Sequence, residues 1–289
     1  MSNDNQDFWD FLSTDEAEFM KSIVSKLCHI PWAQDIIGDI GDNRGWTREN
    51  KARFFELRFA YALHQSGVVP SYEVVGEGQS TLDFGFTSSK QKWVVELMRF
   101  GETKAARSAT RLLSDDGILW SERVLSSHAT DNRHSEEGET LKAVQRICQK
   151  LERNGQPHKF SVPTEALHVI LVDSRTFLNG GDVYDQIHVA FGGEYLKAQF
   201  RRYWDKRLIS GVFNPKTDLR GAPEARARLH FIGFVTEKLY QPGEFAKVTR
   251  FFANPYLLDH ERAEAGIAKW PLHPAKPIRA QAIPDPGAS

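Results

Sequence analysis

Two hydrophobic periods alternate along this chain, and the points where one gives way to the other mark its elements. Phe19, Ile23 and Leu27 recur at helical spacing behind Ser13-Thr14-Asp15-Glu16, where a Glu three residues after a Ser has the spacing of a capping box. Ile30-Pro31-Trp32 interrupts that period, and Gly38 to Gly45 is a glycine-rich connector. A second helix is predicted over residues 49–65. Its Phe54, Phe55, Leu57, Phe59, Ala62 and Leu63 cover a wide arc, so most of its surface should be buried, and Gly67 is placed to cap its end.

The period then shortens to two. Ser71-Tyr72-Glu73-Val74-Val75 reads as a short strand and Gly76 to Ser80 as a polar connector. Thr81-Leu82-Asp83-Phe84-Gly85-Phe86 and Trp93-Val94-Val95-Glu96-Leu97-Met98-Arg99-Phe100 read as a hairpin turned by Ser88-Ser89-Lys90-Gln91. Residues 101–138 form a long polar insertion with helical propensity around Lys104 to Leu113, and connections of that length are more often functional or mobile than plain scaffold. A helix is predicted over residues 139–153, with Leu141, Val144, Ile147, Cys148 and Leu151 on one stripe and Asn154-Gly155 ending it. Leu167 to Asp173 is nearly continuous in apolar residues, as in a strand covered on both faces. A basic helical segment at 194–209 precedes a strand from His230 to Val235, with a partner at Lys247 to Phe252. Beyond Trp270 the chain is rich in proline and alanine and should be extended or disordered.

Asp83 and Glu96 are out of place in this pattern. Each is a lone carboxylate in a run that otherwise reads as buried strand, where losing hydration is costly unless a partner or cation compensates. Two such acids converging across a hairpin repel one another, and a divalent metal removes the repulsion; oxygen ligands suit Mg²⁺ or Mn²⁺. Strand alternation puts Glu96 on one face with Val94 and Met98, and Asp83 with Thr81 and Gly85, where the glycine should leave room for a hydrated ion. Glu56, inside the preceding buried helix, is a third acid able to join the site; the competing reading is an ion pair with Arg53 or Lys51.

Composition narrows the setting. In 289 residues, 40 % are aliphatic, aromatic or sulfur-containing and 26 % are charged, enough apolar material for a substantial core. The longest apolar stretches, such as Phe231 to Val235, are too short to span a membrane, and the acidic N-terminus lacks a signal-peptide core. Cys28 and Cys148 alone argue against a disulfide scaffold and for a cytoplasmic protein. The net charge of −1 hides a basic stretch from Lys197 to Arg228, in which Arg201, Arg202, Lys206 and Arg207 are candidates for gripping a polyanion. Tyr203 and Trp204 beside them could stack on bases or simply face the core. His128, Asp131 and His134 in the insertion meet no standard metal-ligand spacing.

The order of these features resembles the PD-(D/E)XK nuclease superfamily: a helix with an embedded Glu (Phe55-Glu56-Leu57-Arg58), a short strand, an Asp in a strand (Leu82-Asp83-Phe84), a turn, and an apolar strand bearing a Glu (Val94-Val95-Glu96-Leu97-Met98). The later helix and strand also fall where that fold expects them, so the resemblance covers about residues 49–175. It implies Asp83, Glu96 and the Leu97 carbonyl as ligands of Mg²⁺ or Mn²⁺, with Glu56 as an auxiliary acid. The chain departs from the pattern at Met98, where the family carries a lysine. Arg99 has the wrong parity, and Lys92 lies roughly 13 Å away along an extended strand. Gln145, Gln149 and Lys150 lie outside the stripe of the 139–153 helix, and Lys150 is the expected substitute.

The expected fold class is α/β, a restriction-endonuclease-like mixed central sheet flanked by helices with an N-terminal helical segment. The expected organisation is that segment over residues 1–48, the α/β domain over 49–270 and the tail over 271–289. The expected function is metal-dependent hydrolysis of phosphodiester bonds, DNA ahead of RNA, with a homodimer left open. Two alternatives stand beside it: an inactive nuclease-fold protein that binds nucleic acid or a protein, and an unrelated α/β enzyme whose two acids are structural ion-pair partners.

Overall fold

The computed structural model of the protein describes residues 10–115, 118–125, 135–178, 181–195, 209–272 and 276–281. In chain order its elements are α1 (Thr14–Leu27), α2 (Gln34–Asp42), α3 (Lys51–Gln65), β1 (Ser71–Val75), β2 (Thr81–Ser88), β3 (Gln91–Arg99), α4 (Lys104–Ser108), β4 (Thr110–Asp115), β5 (Ile118–Arg123), α5 (Glu136–Leu151), β6 (Glu152–Arg153), β7 (Gln156–Pro157), β8 (Ala166–Asp173), α6 (Val183–Phe191), α7 (Ala222–Arg228), β9 (Phe231–Val235), α8 (Glu244–Lys247), β10 (Thr249–Ala253), α9 (His260–Ile267) and β11 (Ile278–Arg279). Among the described residues no helix is long and apolar enough to cross a membrane.

A seven-stranded mixed sheet in the order β1-β2-β3-β8-β9-β10-β11 forms the middle layer. The hairpin pairs are antiparallel, while β3-β8, β8-β9 and β10-β11 are parallel. One face of the sheet, with Phe84, Trp93, Val95, Leu171 and Phe251, packs on α1, α2, α3, α8 and α9. The other, with Ile170, Val172, Ile232 and Phe234, packs on α5, α6 and α7. That explains why β8 and β9 read as unbroken apolar runs: helices cover them on both sides. Met20, Ile23 and Ile36 of the N-terminal helices share one core with α3 and the sheet. Trp270 closes that core, its ring 4.9 Å from Trp93 and 5.1 Å from Phe251 between centroids. Within the stretch expected to be extended or disordered, Ile278–Arg279 pairs with β10.

The insertion departs from expectation. Helical propensity at Lys104 to Leu113 produces only the short α4, and the chain then turns into the β4–β5 hairpin, where Leu112 pairs with Ser121 and Leu113 with Trp120. α5 also starts earlier than its apolar stripe, at Glu136, because Ser135 caps it by accepting from the Gly138 N–H at 3.0 Å. The capping box of α1 is only half made. Ser13 Oγ accepts from the Glu16 N–H at 3.1 Å, but the fully buried Glu16 carboxylate turns inward to Lys51, Arg58 and Arg175, at 3.1, 3.1 and 3.0 Å.

Candidate active site

The β2–β3 ladder runs from Ser88 opposite Gln91 to Phe84 opposite Val95 and stops there. β2 continues with β1 as far as Thr81 opposite Val75, while β3 continues with β8 as far as Arg99 opposite Asp173. The two strands therefore fork, and Asp83 and Glu96 are the first residues inside the fork. Instead of a strand partner, the Leu97 N–H finds the Asp83 carboxylate, donating to Oδ2 at 2.5 Å.

Alternation fails at this point on β2. Tyr72 and Phe84, paired across β1 and β2, pack into the first core, whereas the next pair, Val74 and Leu82, packs into the second. The two strands roll over between these pairs, and Glu73 has φ 51, a left-handed backbone unusual for a residue with a side chain. The reading of Asp83 from strand parity was thus incomplete: the roll aims it at β3. Nor does Gly85 leave open space, since a Cβ there would come within 2.9 Å of Val74 Cγ1. Room exists instead in a cleft of 1360 Å³ lined by Glu56, Asp83, Glu96, Leu97, Met98 and Lys150 among others.

Glu96 keeps its expected face, which looks toward α5. Lys150 Nζ, reaching across from α5, lies 2.7 Å from its Oε1. Sequence reasoning missed a second cation, Lys159, whose Nζ lies 3.1 Å from the same oxygen. Glu96 Oε2 is buried and has no hydrogen-bond partner. Burial and the nearby Glu96 and Glu56 push the Asp83 carboxyl up to about 8, against the weaker opposing pull of the Leu97 N–H and Lys150.

Glu56 both reaches the cleft and has partners of its own. Arg53 Nη1 donates to its two oxygens at 2.9 and 2.8 Å, and Tyr72 Oη donates to Oε2 at 2.8 Å. Burial raises its carboxyl above the ordinary range, with Arg53 opposing. Lys51, the other partner considered, is buried with Glu16 and Asp10, and desolvation lowers its ammonium to about 8. Arg99 is tied to Asp10 and Asp173, and Lys92 to Glu165 at 2.6 Å, so neither serves Glu96.

The cleft is also lined by Arg146, Arg153 and Arg220, of which only Arg220 belongs to the basic stretch noted in the sequence, and by His158, whose imidazole is held below its ordinary range by burial. Lys216 pairs with Glu194, Arg226 donates to the Asn214 carbonyl at 3.0 Å and Arg228 pairs with Glu224 and Glu77. Arg201, Arg202, Lys206 and Arg207 lie outside the described residues, as do Tyr203, Trp204, His128, Asp131 and His134.

The donor set fits a weakly coordinated cation and not an all-protein cage. Among the described residues no group of three His, Cys, Asp or Glu side chains is placed to hold a metal. What the fork offers is two facing carboxylates, one with an unpartnered buried oxygen and one reluctant to ionise beside its neighbours. Mg²⁺ and Mn²⁺ accept one or two carboxylates and keep several waters. Comparison with protein-family models, with curated proteins and with solved structures finds no match to this chain.

Proposed function

We propose that the protein is a metal-dependent nuclease of restriction-endonuclease-like architecture that hydrolyses phosphodiester bonds in nucleic acid, DNA ahead of RNA. The observation that carries this reading is the fork itself: Asp83 and Glu96 meet where β2 and β3 part, and Lys150 comes from α5 to the carboxylate whose own strand has Met98 in place of lysine. A divalent cation bound by Asp83 and Glu96, with the Leu97 carbonyl as the further ligand the resemblance implies, would supply a water of lowered pKa and charge stabilisation on the phosphate.

The chain's own groups divide the remaining work. The Leu97 N–H fixes Oδ2 of Asp83, a residue that lines the cleft. Lys150, a third exposed, is positioned to meet a phosphate oxygen and stabilise charge as it develops. Arg53 and Tyr72 hold Glu56 at the rim in one orientation. Arg146, Arg153 and Arg220 give the cleft the positive potential a phosphate backbone needs.

One observation favours the reading in which the acids are structural: the buried Glu96 carboxylate is paired through Oε1 with both Lys150 and Lys159. Asp83 argues against it, because among the described residues no cation forms an ion pair with this carboxylate and a purely structural site gains nothing from an acid so hard to ionise. The test is incubation of the protein with linear, supercoiled and single-stranded DNA and with RNA, in Mg²⁺, Mn²⁺ or EDTA. Cation-dependent cleavage supports the nuclease reading. Salt-sensitive binding without cleavage would favour the inactive binding protein, and neither would leave the structural ion pair.

A further inference from the structure

We infer that Lys159 is a positioning residue that sets the opening between Asp83 and Glu96, a role distinct from that of Lys150; the inference rests on reading the fork as the reaction site. The two lysines share one carboxylate oxygen but are held differently. The ion pair with Glu96 is the polar contact the structure gives Lys150 Nζ. Lys159 Nζ also donates to the Thr81 carbonyl at 2.6 Å. Its single cation therefore spans the fork, tying the β2 backbone two residues before Asp83 to the β3 carboxylate, beyond the point where the ladder between those strands has ended.

The backbone of Lys159 is fixed just as firmly. Its N–H donates to Ser80 Oγ at 3.2 Å, and its carbonyl accepts from the Glu77 N–H at 2.9 Å, forming an isolated antiparallel bridge with the β1–β2 connector. That approach needs a glycine, because a Cβ at Gly76 would collide with the Lys159 carbonyl. Lys159 itself has φ 64, a left-handed conformation that costs free energy for a residue with a Cβ and persists where surrounding contacts impose it. Glu73, across β1 from the roll at Asp83, is strained in the same sense. Strain on both sides of the fork, with a side chain bridging it, is the arrangement expected of a set aperture.

Among the described residues Lys150 has no such bracing, and its side chain is 32 % exposed against 17 % for Lys159. It is the lysine free to leave Glu96 for a phosphate. Lys159 stays bridged and keeps the Leu97 N–H on Asp83.

Lys159→Met, Lys159→Arg and Lys150→Met separate the two roles. The metal-free readout is amide exchange at Leu97, with melting temperature measured alongside; the second readout is the split between kcat and KM. Lys159→Met should speed Leu97 exchange by about tenfold or more while distant core amides in β8 hold their protection. Lys159→Arg, still able to bridge a carbonyl and a carboxylate, should restore most of it. Lys150→Met should leave Leu97 exchange unchanged and lower kcat. With cleavage established in wild type, Lys159→Met should lower kcat by about tenfold or more at little-changed KM. Unchanged Leu97 exchange in Lys159→Met, or equal effects of the two methionine variants on it, would overturn the inference. A wild type that does not cleave would end the nuclease reading, while the exchange measurement would still decide whether Lys159 sets the fork.

Discussion

Asp83 has the most to reveal as a single residue, because its environment works against its charge. A carboxyl raised from 3.8 to about 8 in the folded state binds a proton the unfolded chain has already lost. Its contribution to stability is therefore complete below pH 3.8 and disappears as pH rises to about 8, at a slope of no more than about 1.4 kcal/mol per pH unit. Asp83→Asn should melt higher than wild type at pH 8 in EDTA, with the difference vanishing near pH 4. Mn²⁺ should raise the wild-type melting temperature and leave the variant's alone. Met98 supports a second expectation. Lys150 and Lys159 already hold Glu96, so Met98→Lys should not increase cleavage, and a third cation beside them should lower stability by about 1 kcal/mol. Asp83, Glu96 and Lys150 were legible in the sequence because apolar strands and a helical stripe made them exceptions. Lys159 was not. It works from an isolated bridge after β7, by backbone geometry that no period records.

Elements that bury a regular face were the readable ones: α3, β2, β3, β8 and β9 stand close to where their periods placed them. Readability ended where polar groups do structural work. The β4–β5 hairpin grew from residues of good helical propensity because strand pairing overrode local preference. The buried group of Asp10, Glu16, Lys51, Arg58, Arg99, Asp173, Arg175 and Glu237 was also invisible, since charges in sequence read as solvated surface. It joins α1 to α3 and to the ends of β3 and β8. Glu16 meets three cations there with no exposure to water, and removing one partner of such a group leaves others buried and uncompensated. Glu16→Gln should cost about 3–5 kcal/mol, read as a lower urea midpoint at unchanged slope.

For the whole molecule, the order of helices and strands implied a sheet covered on both sides, and the structure has one. Strand order, the parallel β3–β8 and β8–β9 pairings and the fork between β2 and β3 needed three dimensions, because they depend on contacts between distant segments. The charge distribution needed the fold as well: beside a net charge of −1 the structure sets a cleft whose cations include Arg146 and Lys150 of α5, Arg153 of β6, Lys159 after β7 and Arg220 before α7. If that cleft holds a phosphate backbone, binding should weaken as salt rises, and Arg146→Ala with Arg220→Ala should reduce the log–log slope by roughly 0.9 per charge that contacts a phosphate.

The most direct measurement is the cleavage rate of a labelled DNA duplex in Mn²⁺, compared among wild type, Asp83→Asn and Glu96→Gln after each variant is shown to be folded. The fork accounts for catalysis only if wild type cleaves, EDTA stops it, and each single substitution lowers the rate by at least about a hundredfold. Cleavage that survives either substitution, or that proceeds unchanged in EDTA, would contradict the assignment of Asp83 and Glu96 as the metal-binding pair.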